Sequence, residues 1–223
     1  MSLETKIYGK IRGIMMDLLP AGREDEQIHL SGQAEQLIAF GSAPYQEIVR
    51  QGRAFYANAA AVAAVTAIPT TAHSMAIHNN ESDGGRSLII DAVGMLFTAS
   101  ASIIPHNGII GCLGLVREAT ITATGATPRQ CNGMGNSDTK VRVSGGADAA
   151  LPATTGIAAN WFPLGDSINA AVTSLPGFQK FVPVDGRIIV PPGRFFAIHT
   201  LGAKTDVSGT PFIWWHEKLL ING

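Results

Sequence analysis

Apolar and polar positions alternate with a period of two in much of the chain after about residue 55. Val141 and Val143, for example, alternate with Lys140 and Arg142. Successive side chains of a β-strand point to opposite faces, so this period predicts strands that are buried on one side. No helix-period segment of ordinary length interrupts the pattern, and the sequence therefore predicts a mainly β protein.

Turn-forming clusters separate the predicted strands. The sequence NNESDGG supplies residues that tolerate positive φ, and Pro191-Pro192-Gly193 has the composition of a tight turn. About eight to ten strands at this spacing predict a jelly-roll-like antiparallel β-sandwich. The predicted strands cover residues 59–66, 74–78, 87–102, 109–125, 138–144, 157–164, 181–184, 186–190, 194–202 and 210–220.

The first 56 residues differ in character from the remainder. They carry a large share of the charge, and their short apolar groups are separated by polar residues, glycine or proline. No group is long enough to form its own core, so we interpret residues 1–56 as an extended N-terminal arm and residues 57–223 as the β-sandwich domain. A short helix is predicted at about 44–53, because Pro44 suits a first helical position and Tyr45, Ile48 and Val49 share one face.

The role of this arm is open between two interpretations. Its apolar residues either pack on their own domain or dock on a partner, as segments that become ordered on binding do. The residues that we expect to contact a partner are Leu37, Ile38, Phe40, Tyr45 and Ile48.

Composition favours a protein with large buried contacts. Hydrophobic residues make up 46% of the chain and charged residues only 15%, whereas soluble globular chains have roughly 25% charged residues. Interface cores are depleted of charge, so we expect an oligomer. The formal net charge of -1 and the absence of a basic cluster argue against direct nucleic-acid binding. No apolar stretch reaches the 18 or more residues that a membrane span needs, so we expect a soluble protein.

Motifs that would indicate catalysis or metal binding are missing from the sequence. The histidines lack metal-ligand spacing with one another and a carboxylate, and there is no GxSxG elbow or phosphate-binding loop. Cys112 and Cys131 lack CxxC spacing, so we expect incidental thiols, with a single bridge between them as the alternative. We therefore expect no enzyme activity, no metal and no cofactor.

Trp214 and Trp215 are the strongest candidates for a binding surface in the sandwich. Adjacent residues of a strand point to opposite faces, so one indole can fill the core while the other faces a neighbour or solvent. Both are treated as possible interface residues.

Several segments resemble a known family. FYANAAAVAAVTAIPTTAHSMAIHNNES, LIIDAVGMLFTAS, VDGRIIVPPGRFFAIHTLG and PFIWWHEKLL, following the arm, are similar to trimeric capsid cement (decoration) proteins of tailed bacteriophages. The resemblance implies a jelly-roll-like homotrimer on the capsid exterior of the virion, assembled in the host cytoplasm. It also implies that the arm binds the major capsid protein across subunit junctions and stabilises the head.

A tail-associated or receptor-binding β module is the alternative function. It would use the loops at 79–85 or 128–138 to bind a host glycan or surface protein. Exposed aromatic side chains in those loops would favour it, since they supply stacking surface, and the loops contain none.

Overall fold

The chain forms two compact units, Met1–Ala43 and Pro44–Gly223. In the first unit, strand β1 (His29–Leu30) pairs antiparallel with β2 (Gln36–Leu37). The structure is a computed structural model that describes residues 29–30, 36–37, 45–98, 104–115, 117, 121, 126–134, 139–145, 151, 160–165, 168–170, 178–202, 205 and 207–220.

The second unit contains one short helix followed by strands. No helix in the described part of the chain has the length and apolar character needed to span a membrane. The elements are α1 (Gln46–Arg50), β3 (Ala54–Asn58), β4 (Val62–Ala63), β5 (Met75–Asn79), β6 (Ser87–Thr98), β7 (Ile104–Leu113), β8 (Arg129–Gln130), β9 (Val141–Gly145), β10 (Trp161–Pro163), β11 (Ile168–Ala170), β12 (Phe178–Val190), β13 (Phe195–Gly202) and β14 (Ser208–Lys218).

These strands form two six-stranded sheets. Sheet 1 has the order β12-β6-β14-β3-β8, with β4 also paired to β14. Sheet 2 has the order β10-β7-β13-β5-β9, with β11 also paired to β7. Every pairing between these strands is antiparallel.

The strand order is that of a jelly roll. Eight strands supply the backbone of the two layers, namely β3, β5, β6, β7, β10, β12, β13 and β14. Numbered one to eight in chain order, they give 6-3-8-1 in sheet 1 and 5-4-7-2 in sheet 2. This interleaving of early and late strands in both sheets is the double Greek key of jelly rolls. The predicted mainly β, jelly-roll-like sandwich is confirmed.

The main core lies between the two sheets. Alternate residues of each strand enter it, as a half-buried sheet requires. Its largest side chains that are almost fully buried include Trp215, Phe55, Met95, Met75, Ile77, Phe196 and Ile198. A smaller apolar cluster covers the opposite face of sheet 2 and consists of Ala76, Cys112, Ile121, Leu151, Phe195 and Ala197, with Trp161 at its side.

Several predicted elements have different bounds in the structure. The boundary predicted between residues 56 and 57 falls inside β3, a strand of sheet 1. The strand predicted over 59–66 was too long. Only β4 pairs with β14, because the chain then crosses to the other sheet, where Val65 bridges Leu201.

The strand predicted over 109–125 was also wrong in extent. β7 ends at Leu113, although it begins earlier than predicted, at Ile104. Its partner β13 begins at Phe195, directly after the turn at Pro191-Pro192-Gly193, so β13 offers no partner beyond that point, and residues 116, 118–120 and 122–125 of the predicted strand lie outside the described residues. The segments predicted as strands over 181–184 and 186–190 are instead a single strand, β12. Asp185 and Gly186 adopt positive φ within it, where the register with β6 shifts.

Candidate binding face of sheet 1

The two adjacent tryptophans of β14 point to opposite faces of sheet 1. Trp215 is fully buried in the core, where its ring stacks on Phe55 with centroids 5.9 Å apart. Trp214 lies on the outer face and is 47% exposed. The register of β14 against β6 shifts between Trp214 and Trp215, which marks a β-bulge in this pair of strands. The strand therefore contributes its largest side chain to the core and its second large indole to a surface.

Three aromatic side chains form a cluster on this outer face. Phe181 of β12 stacks on Phe212 of β14 with ring centroids 6.2 Å apart and an interplanar angle of 24°. It also meets Trp214 edge-on, at 6.0 Å and 74°. Stacked and edge-to-face pairs at these distances are the favourable arrangements of aromatic quadrupoles. Their rings hold one another in fixed positions on the sheet.

A glycine on the intervening strand makes the cluster possible. Gly94 of β6 lies opposite both Phe181 and Phe212 in the sheet register. A Cβ atom at this position would lie 2.0 Å from Cζ of Phe212, and 2.5 Å from the carbonyl oxygen of Lys180. The ring of Phe212 therefore occupies the space above Gly94 that any larger residue would fill.

The centre of this face carries no charge. We call it the aromatic face and define it by Leu96, Phe181, Pro183, Phe212 and Trp214, all of which are uncharged and at least partly exposed. This group of exposed apolar side chains makes the aromatic face a candidate interaction surface.

Charged groups border the aromatic face, and Nη2 of Arg187 donates to the carbonyl oxygen of Pro183 at 3.0 Å. Arg129 on β8 is exposed and lies opposite Tyr56, which itself lies opposite Trp214. At the other margin, Nδ1 of His216 lies 2.8 Å and 3.1 Å from the two carboxylate oxygens of Asp91. This apolar centre with a polar rim is the usual anatomy of a protein interface.

The helix region packs beside this face. Tyr45 precedes α1 with a left-handed backbone, φ 69°, and its ring lies 5.9 Å from the ring of His216. Burial raises the pKa of Tyr45, and the nearby carboxylates of Asp91 and Asp185 raise it further. The side chain is still 41% exposed. Tyr45 thus contacts its own sandwich, and part of its side chain remains at the surface.

The other predicted arm contacts are distributed as follows. Leu37 belongs to β2, Ile48 is half-buried in α1, and Ile38 and Phe40 lie outside the described residues. Sequence reasoning missed Phe181, Phe212 and Leu96 as members of an exposed face. The alternation of side chains along the strand predicted over residues 210–220 could have identified Phe212, because residues 212 and 214 of one strand lie on the same face of the sheet.

Buried polar residues at the margin of the main core serve packing. The Glu217 side chain is 2% exposed; it accepts a hydrogen bond from the hydroxyl of Thr139, and its Oε2 lies 3.3 Å from Nη1 of Arg86. Asn79 donates to the carbonyl oxygens of Arg86 and Val190 at 2.8 and 3.0 Å. These contacts connect β14, β5 and the turn before β6.

Titratable residues are scattered rather than assembled into a reactive centre in the described ranges. Within those ranges, no three His, Cys, Asp or Glu side chains come together as a metal site would require. Both cysteines are free thiols, with Cys112 buried and Cys131 exposed, so the alternative of a bridge between them is wrong. Burial raises the pKa of Cys112 to about 11.

Comparisons with known proteins add little to this description. No protein-family model and no curated protein sequence matches the chain. A solved structure of deformed wing virus, a honeybee pathogen, aligns with 88% of this chain and 93% of its own, at 11% identity and a TM-score of 0.24. A TM-score this low does not establish a shared fold, and the jelly-roll assignment rests on the strand order of the chain itself.

Proposed function

We propose that this chain is a viral structural protein, a homotrimeric cement protein that binds the major capsid protein on the exterior of a phage head. The observation that supports it best is the aromatic face, an uncharged exposed surface on a jelly-roll sandwich. The resemblance of its segments to trimeric cement proteins points in the same direction. A sandwich with an exposed apolar face and an N-terminal arm suits a protein that joins neighbouring subunits.

The aromatic face has the properties of a protein-binding hot spot. Trp214 and Phe181 are each nearly half exposed and are held in place by their mutual contact. Rigid aromatic anchors lose little conformational entropy on binding, and tryptophan is among the residues most enriched in hot spots. Because about half of each side chain is already buried, burial of the remainder on binding contributes roughly 1 kcal/mol per side chain.

Trimerisation would multiply these modest contacts. Three copies tied together bind a lattice with an avidity that exceeds the affinity of one contact by roughly 10²–10⁴ when geometry allows simultaneous engagement. The arm residues Leu37, Ile38, Phe40, Tyr45 and Ile48 would add a second contact per copy. No single strong site is then needed for stable attachment.

Recognition of a host glycan is the second candidate, and the exposed indole of Trp214 is the observation that favours it. Sugar rings stack on flat aromatic surfaces, whereas Phe181 meets Trp214 at 74°, so the two rings form a ridge. The loops at 79–85 and 128–138 contain no aromatic residue. A ridge suits insertion into a groove of a protein surface, so we favour the capsid role.

Co-sedimentation with undecorated phage heads tests the proposal, together with the mass of the purified protein in solution. We expect a trimer that binds heads, and at least 10-fold weaker binding for Trp214→Ala. Leu115→Ala is the matched control, because Leu115 is exposed but lies outside the aromatic face. A second variant lacks residues 1–43 and retains the whole sandwich unit.

We expect loss of the arm to abolish head binding while the sandwich remains folded by circular dichroism. A monomer, or a truncated protein that still decorates heads, contradicts the cement assignment. Binding to cells or to a glycan array in place of heads supports the receptor-binding alternative.

A further inference from the structure

Two exposed arginines border the aromatic face, one on each end strand of sheet 1. Arg129 belongs to β8 and Arg187 to β12, which are the two end strands in the order of this sheet. Alternation along β8 places Arg129 on the outer side, because its neighbour Gln130 lies opposite the core residue Phe55. The exposed apolar centre therefore has a positive charge on either side.

A single row of residues crosses the sheet between these two margins. Pro183 of β12 lies opposite Ala92, Ala92 opposite Trp214, and Trp214 opposite Tyr56, which lies opposite Arg129. Four strand spacings separate the ends of this row, so they lie about 19 Å apart. Trp214 belongs to the central strand of the five, and the exposed indole is thus in the middle of the row.

Arg187 is held at its margin by two backbone carbonyl groups. Its Nε donates to the carbonyl oxygen of Val184 at 2.9 Å, and its Nη2 donates to that of Pro183 at 3.0 Å. These bonds close the bulge in which Asp185 and Gly186 adopt positive φ. They use one edge of the guanidinium and leave the edge formed by Nη1 and Nη2 facing outward from them. Such an edge accepts a carboxylate through two parallel hydrogen bonds.

The positive charges of this row are not compensated within the described part of the chain. Neither Arg129 nor Arg187 forms an ion pair with a carboxylate of the described residues. Two carboxylates belong to the same side of the sheet, but Asp91 is bonded to His216 and Asp185 is exposed in the bulge. Both of them raise the pKa of Tyr45, so they lie towards the helix region.

We infer that the partner of the aromatic face is a protein surface with an apolar groove flanked by carboxylates. The groove receives the ridge of Phe181 and Trp214, and the carboxylates pair with Arg129 and Arg187. This inference rests on the proposed function, and it specifies the chemistry of the capsid surface that the protein binds.

A second copy of this chain fits the aromatic face less well. Both ends of the Trp214 row are basic, so a second aromatic face docked along the same row would bring arginine against arginine in either direction. Like charges placed opposite each other across an interface cost affinity. Carboxylates at both sides of a groove satisfy the two arginines together.

Charged groups at the rim of an interface act mainly on the association rate and on its dependence on salt. The screening length is about 10 Å at 0.1 M salt, so attraction between the rims weakens as salt is added. We therefore expect the protein to associate with heads faster in 50 mM than in 500 mM NaCl. Arg129→Glu and Arg187→Glu should each slow association about 3-fold or more in 50 mM NaCl, and the double variant about 10-fold or more. In the double variant the salt dependence should be flat or reversed.

Biolayer interferometry with immobilised, undecorated phage heads measures these rates for the full-length proteins. Arg142→Glu is the matched control, because Arg142 is an exposed arginine on β9, an end strand of sheet 2. It changes the net charge as much as each single variant does, and its association rate should stay within about 2-fold of the wild type. Near-UV circular dichroism checks the fold of every variant. If Arg187→Glu disturbs the bulge, Arg129→Glu is compared with the control by itself.

The outcomes separate this inference from the proposed function. Slower association of the variants at the aromatic face, with an unchanged control, supports the inference. Equal rates for all variants, or equal slowing by Arg142→Glu, overturns it and leaves the cement assignment in place. A wild-type protein that does not bind heads contradicts the proposed function and this inference together. A lower solution mass for the variants at the aromatic face would place a second copy there and would also overturn the inference.

Discussion

Gly94→Ala should destabilise the protein, although alanine is normally better than glycine in a strand. The new Cβ would lie 2.0 Å from Cζ and 2.6 Å from Cε1 of Phe212, and 2.5 Å from the carbonyl oxygen of Lys180. Ordinary contacts of a Cβ atom begin at about 3.4 Å, so the ring has to leave its position. The carbonyl cannot retreat easily, because Lys180 lies in the β12–β6 ladder opposite Met95.

The expected cost combines three terms. Overpacking costs roughly 1–3 kcal/mol, and loss of the stack with Phe181 removes about 0.5–1.5 kcal/mol. Relief of the conformational entropy of glycine returns about 0.5–1 kcal/mol. We therefore expect the free energy of unfolding to fall by about 2 kcal/mol.

Urea unfolding followed by tryptophan fluorescence measures this cost. Gly108→Ala is the control, since a Cβ at Gly108 on β7 meets no atom within 4 Å, and its stability should be unchanged or slightly higher. Phe212→Ala removes the obstructing ring, so Gly94→Ala should cost about 1 kcal/mol less in that background. Equal cost in both backgrounds, or no cost in the wild type, would refute the steric reasoning.

Three further predictions concern the core and the thiols. Trp215→Ala should lower the free energy of unfolding by about 3–5 kcal/mol, because this side chain is fully buried, whereas Trp214→Ala should lower it by about 1 kcal/mol or less. Urea unfolding measures both values, and similar costs would contradict the placement of the two residues on opposite faces. Glu217→Leu should cost about 1–2 kcal/mol, because it removes the hydrogen bond from the half-buried Thr139 and the ion pair with the partly exposed Arg86, and a variant of unchanged stability would show that the carboxylate is dispensable. Near pH 8 the native protein should react with Ellman's reagent at Cys131 and not at Cys112, and mass mapping of two modified residues would refute this.

The period-two pattern was sufficient for most of the strands. Val141 and Val143 belong to β9, and the apolar run Phe212-Ile213-Trp214-Trp215 belongs to β14. The turn at Pro191-Pro192-Gly193 forms as its composition predicts, with Gly193 at φ 74° and a hydrogen bond from Arg194 to Pro191. These features depend on local chemistry, which the sequence contains directly.

The period-two pattern could not predict features that depend on which strands pair with each other. The end of β7 at Leu113 is set by where β13 begins, some 80 residues later in the chain, so no local signal marks it. The aromatic face has the same origin. Phe181 and Phe212 meet only because β6 lies between their strands and carries Gly94 at the right register. The opposite orientation of Trp214 and Trp215, by contrast, follows from strand geometry alone.

The position of β14 has a consequence for how the protein is made. This strand occupies the middle of sheet 1 and pairs with β6 along most of its length and with β3 on its other side. In chain order β14 follows every other described strand of the two sheets, so β3 and β6 lack their shared neighbour until the ribosome has synthesised residues 208–218. Long-range pairing of this kind is slow and exposes apolar strands in the meantime. Sheet 1 can therefore be completed only after β14 has been synthesised, and chains that stop before Ser208 should accumulate as insoluble fragments.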